Sequence, residues 1–159
     1  MRNWINLTSL KKTFARSLCG AVLGVLAMSA SAAEVMERQL IVAVFSYLDH
    51  PAFDIKIGNE RVGSTGKFFP FGRPRLKAGV VLAEGSQPVS WMVALAESGT
   101  EAVKASNTPK LGGFSADTRY LGVHIYPGNS VEFVLSSAFP VYTARGKAIS
   151  EQLQRDGAK

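Results

Sequence analysis

The chain has 159 residues, of which 47% are apolar and 19% charged, a composition that excludes disordered, collagen-like and disulfide-dense classes and leaves an ordinary globular domain. The formal charge of +6 would ordinarily point to a nucleic-acid partner, but Arg2, Lys11, Lys12 and Arg16 all fall in an N-terminal stretch that contains no acid. How those four are assigned decides what the charge means.

Behind those cations runs the apolar segment Leu18–Met28 (LCGAVLGVLAM), followed by the small residues Ser29 to Ala33. A basic start, a short apolar run and an Ala-x-Ala site are the three parts of a secretory signal peptide, and the run falls well short of the ~20 residues that span a bilayer. Residues 1–32 are therefore expected to be a cleaved leader, with the cut after Ala32, and residues 33–159 a single exported β-rich domain. Without the leader the net charge is +2 and Cys19 is gone. Nucleic-acid binding, disulfides, thiolate metal sites and cysteine nucleophiles are then all excluded as expectations.

The remaining sequence reads mostly as strand. Gln39–Leu48 (QLIVAVFSYL) is β-branched and aromatic on both faces, the pattern of a central strand covered on two sides. Residues 53–57 alternate, and Gly58-Asn59 is a two-residue turn into a short edge strand at Glu60-Arg61-Val62. Gly63–Lys77 (GSTGKFFPFGRPRLK) has no sustained period and reads as a long loop. Strand character resumes at Ala78–Ala83, and after a turn at residues 84–88, Val89, Trp91, Val93 and Leu95 recur every second residue as one core face. Residues 97–114 read as a second loop with a short helical turn at TEAVKA. Arg119–Tyr126 and the strand through Val131, Phe133 and Leu135 form a hairpin about the four-residue turn Pro127–Ser130. Thr143–Arg155 has helical composition, with Ala148, Ile149 and Leu153 on one face. The expected fold is mainly β, an antiparallel β-sandwich or twisted sheet with a short C-terminal helix.

Catalytic vocabulary is thin. Gly63–Phe68 lacks the first glycine and the hydroxyl of a phosphate-binding loop, and Ser64-x-x-Lys67 lacks the companion motifs of a serine–lysine enzyme. Asp49-His50-Pro51 reads as a turn. His124 lies on the strand face opposite Leu121, Val123 and Ile125, in line with Tyr120 and Tyr126, and without further ligands nearby it reads as a hydrogen-bonded structural histidine or an interface residue rather than a metal ligand. No metal and no cofactor is expected. The segment that offers contact chemistry is Lys67–Lys77, in which Lys67, Phe69, Phe71, Arg73, Arg75 and Lys77 combine aromatic anchors with cations suited to a protein partner. Two other readings of it are aromatic plugs for the core with solvated cations, and a weak peripheral anchor on anionic lipid.

The succession VAVFSYLDHPAFDIKIGN, LKAGVVLAEGSQPVSW and YLGVHIYPGNSVEFVLS, between residues 40 and 136, resembles a family of small exported proteins of Gram-negative bacteria. Some members resemble the periplasmic immunity proteins encoded beside type VI secretion phospholipase effectors. Where that family often has a glycine run and a cysteine pair, this chain has KFFPFGRPRLK. The resemblance implies a periplasmic protein that neutralises a lipase-type toxin by binding it. The alternatives are a small periplasmic hydrolase using His124 or His50, and an accessory subunit of an envelope assembly.

Overall fold

The computed structural model describes residues 36–66, 74–95 and 99–157. The leader expected at residues 1–32 lies outside them. The chain is mainly β, with ten strands and one C-terminal helix among the described residues.

Strand β1 (Glu37–Ser46) lies at the centre of a four-stranded sheet between β4 (Arg75–Ala83) and β9 (Tyr120–Tyr126), with β10 (Ser130–Ser136) beyond β9. A second sheet has the order β3 (Glu60–Thr65), β2 (Ala52–Ile57), β6 (Val89–Ala94) and β7 (Thr100–Lys104). A short pair, β5 (Gly85–Ser86) with β8 (Lys110–Leu111), completes the strands. The second sheet is antiparallel throughout, whereas β1 and β9 run parallel in the first. That pairing departs from the antiparallel expectation. It is possible because the strands β2 to β8 lie between β1 and β9 in the chain, so no tight turn has to join the two.

Alternation places the core. Leu40, Val42 and Val44 of β1 and Leu121, Val123 and Ile125 of β9 meet Ile55, Ile57, Val62, Val89 and Trp91 of the second sheet in one buried cluster. Burying a side chain of this size contributes roughly 1.5–3 kcal/mol, so this interface is the main source of stability. The opposite face of β1 carries Ala43 and Phe45, which join Tyr47 and Tyr126 in a second buried cluster. Helix α1 (Ala144–Gly157) contributes Ile149 to that cluster. The two-sided apolar pattern of β1 thus reflects a sheet on one side and a helix on the other.

Thr143 caps α1, its hydroxyl accepting a 3.0 Å hydrogen bond from the Gly146 amide, as expected of a helix-capping side chain. Gly146 is the point of closest approach, for a Cβ there would overlap the Tyr47 hydroxyl and ring. Alanine is normally favoured over glycine in a helix by about 1 kcal/mol. Here Tyr47 is buried and stacked on Tyr126 with ring centroids 5.0 Å apart, so it cannot swing aside. Gly146→Ala is expected to destabilise the protein by about 1–3 kcal/mol, as overpacking does. Gly112→Ala, which would add a methyl into open space, is expected to leave the melting temperature nearly unchanged.

Several boundaries differ from the sequence expectations. The supposed loop Gly63–Lys77 is strand at both ends, since β3 continues to Thr65 and β4 begins at Arg75. The expected helical turn at TEAVKA is instead β7, inside a region expected to be loop that also holds β8. It pairs Val103 with Trp91. The chain turns between β9 and β10 over three residues, Pro127–Asn129, with Asn129 at a φ of 60°. Leu95 falls beyond β6 and is exposed, and on α1 both Ala148 and Leu153 face solvent while Ile149 packs inward. The helix docks through glycine rather than through an apolar stripe, which is why composition misplaced its buried face.

Sheet edges are blunted. Asn107 pairs its side-chain amide with both the amide and the carbonyl of Val131 at 2.8 Å, occupying part of the outer edge of β10 as another strand would.

Candidate functional site

Of the six residues expected to contact a partner, Lys67, Phe69, Phe71 and Arg73 lie outside the described residues, while Arg75 and Lys77 stand at the start of β4. Arg75, Leu76 and Lys77 are all exposed. Leu76 pairs with Ala43 and so lies on the helix-bearing side of the sheet, where it is 53% exposed. The Lys77 ammonium donates to the backbone carbonyl of Arg61 on β3, tying the edges of the two sheets together. Arg61 and Lys56 both pair with Asp54, at 2.5 and 3.3 Å. No ion pair to Arg75 occurs among the described residues. The connection 66–74 therefore runs from the edge strand of one sheet to the edge strand of the other, and the cationic side chains beside it belong to both.

The two histidines have opposite settings. His50 is partly exposed, with Nδ1 2.6 Å from Asp49 Oδ1, and its hydrogen bond holds the Asp49 carboxyl below the usual carboxylate range. His124 is fully buried, stacked on Phe45 with centroids 4.5 Å apart and sharing a 3.0 Å hydrogen bond between Nδ1 and the Tyr47 hydroxyl. Its Nε2 is buried without a hydrogen-bond partner. Burial lowers its pKa to about 4, against a smaller opposing effect of Glu132. The ring is therefore neutral at neutral pH. Beside it the Tyr126 hydroxyl contacts Glu132 Oε2 at 2.7 Å and Thr143 Oγ1 at 2.6 Å, and burial pushes its pKa up to about 12. The Arg145 guanidinium covers the Tyr126 ring at 3.9 Å. These groups form a polar aromatic layer on which α1 sits through Tyr126, Thr143 and Arg145.

Sequence reading missed an open cleft. It is lined by Arg38 to Ile41 of β1, Ala78 and Gly79 of β4, and Ala116, Thr118 and Arg119 before β9, and has a volume of about 640 Å³. Two features build it. Ala78 and Gly79 together oppose Ile41 in a β-bulge, with Gly79 at a φ of +75°, a conformation that favours glycine. One wall therefore carries only a methyl group. On the other side Arg38 donates to the carbonyls of Ala116 at 2.5 Å and Thr118 at 3.4 Å, tying that turn to β1. No local motif signals the cleft, because its residues come from three separated segments.

No cluster of three or more histidine, cysteine or acidic side chains suited to a metal ion occurs among the described residues. None of the described helices is long and apolar enough to cross a membrane. Comparison of the chain with protein-family models, curated proteins and solved structures finds no match.

Proposed function

We propose that this is an exported, non-catalytic binding protein that acts in the periplasm and neutralises a protein partner, with a secreted lipase-type toxin as that partner. The toxin assignment derives from the family resemblance. The observation that carries the binding reading is the exposed Arg75-Leu76-Lys77 run on an edge strand whose Val80 and Leu82 are locked into the core between the sheets. A rigid sandwich holds Arg75 and Lys77 at the start of β4, so these two cations are presented to a partner from an ordered strand. The burial of His124, which is 0% exposed, favours binding over a hydrolase that would use it. Contact with anionic lipid remains the competing use of the same cations and is an arm of the test.

Reversing both Arg73 and Arg75 to Glu is expected to weaken the complex by a few kcal/mol, roughly a hundredfold or more in Kd, with little change in thermal stability. Phe69→Ser with Phe71→Ser should also weaken binding while the fold survives. Titrations and thermal melts on both variants separate the alternatives. A large fall in melting temperature for the phenylalanine pair with intact binding by the arginine pair would make the segment a core plug. Loss of vesicle binding alone would make it a lipid contact.

A further inference from the structure

We propose that the cleft between β1, the β4 bulge and the 115–119 turn is a second binding site, for a small amphipathic anion bearing one carboxylate. Its volume of about 640 Å³ falls in the ~300–1,000 Å³ range of small-molecule pockets. The backbone and the turn that carry its polar groups are set in place before any ligand arrives. The Arg119 amide donates to the Ser136 carbonyl at 3.0 Å and its carbonyl accepts from the Ile41 amide at 2.9 Å, so the backbone beneath this exposed arginine is fixed on both sides. Ser115 donates to Asp117 at 2.7 Å, and the Thr118 hydroxyl accepts from the Ser115 amide at 2.9 Å, which locks the turn that Arg38 grips.

Charge sets the number of anionic groups. Arg38 and Arg119 both interact electrostatically with Asp117, the nearby acid, whose carboxyl is held low chiefly by the Ser115 hydroxyl. Two cations against one acid leave a single positive charge to be matched. Arginine suits a carboxylate because its donors form a planar fork. The lining also presents Ile41, Ala78 and Ala116, and Val81, 45% exposed, pairs with Gln39 beside it. That apolar floor calls for a ligand with a hydrocarbon body behind its head.

The test is an NMR titration of the protein with octanoate, using acetate and octan-1-ol to separate tail from head. Octanoate should bind saturably, with amide shifts centred on Gln39, Ile41, Gly79 and Thr118, and the two controls should bind far more weakly. Arg119→Gln, which removes an exposed side chain outside the core, should weaken octanoate roughly tenfold, as expected for a lost charge-assisted hydrogen bond. Ala78→Glu, which places a like charge on the exposed wall, should weaken it at least as much. The proposal is overturned if octanoate shows no saturable shifts up to its solubility limit, if octan-1-ol or acetate binds equally well, if the shifts centre elsewhere, or if both variants bind as the unaltered protein does.

Discussion

Acidification from pH 7 to pH 4 should cost the fold about 3 kcal/mol through His124 alone, from about 1.4 kcal/mol per unit of pKa displacement. Its pKa is lowered from 6.5 to about 4 in the folded protein. Between those values the unfolded chain binds the proton and the folded chain does not. Stability from this group is therefore complete above pH 6.5, falls as pH drops through the window, and stops falling below about pH 4. The ring is fully buried between Phe45 and Tyr47, so solvent does little to screen the effect. Carboxylates such as Asp49 and Asp117, whose pKa values are lowered by hydrogen bonds from His50 and Ser115, add their own acid sensitivity at lower pH. The His124 share is isolated by denaturant melts of the unaltered protein and His124→Gln across pH 4–7. The variant should be less stable at pH 7 but show a distinctly flatter decline, and parallel pH profiles would refute the assignment.

Trp91→Ala should be the most damaging core substitution, removing about 3–5 kcal/mol, the range for truncating a buried aromatic. That is a large part of the ~5–15 kcal/mol that stabilises a domain. Trp91 is 1% exposed and sits in the cluster that joins the two sheets. Its indole N–H is buried without a hydrogen-bond partner, which makes Trp91→Phe informative. Phenylalanine leaves a smaller cavity and removes a donor whose burial costs roughly 1–3 kcal/mol when unsatisfied. Trp91→Phe is thus expected to lie much nearer the unaltered protein than Trp91→Ala, as urea unfolding midpoints would show. Equal losses in the two variants would place a hidden partner on the indole nitrogen.

What the sequence made legible follows from where apolar side chains alternate. β1, β2, β9 and β10 alternate against a core or are buried on both faces, and each was readable within a few residues. β7 was not, because TEAVK is an edge strand mostly exposed to solvent and only its pairing with β6 makes it extended. Periodicity also carries no strand direction, so the parallel match of Val42 with Leu121 could not be read from it. His124 was legible as facing away from the main core, but its burial comes from the Phe45, Tyr47 and Tyr126 rings stacked around it, contacts that periodicity does not reveal. Of the expected contact residues, Arg75 and Lys77 are exposed at the start of β4. The Arg38–Arg119 cleft was invisible because a bulge and a clamped turn create it from segments some eighty residues apart.

The binding account is tested most directly by immobilising the mature protein and its Arg73→Glu/Arg75→Glu variant on matched columns, passing over them the secreted and periplasmic proteins of the bacterium that makes it, and assaying phospholipase activity before and after elution. The account predicts that the unaltered column retains a protein whose lipase activity is silent while bound and appears on release, and that the variant column does not. Retention of the same proteins by both columns, a bound partner with undiminished activity, or ester turnover by the protein itself that is lost in a His50→Ala/His124→Ala variant would contradict it.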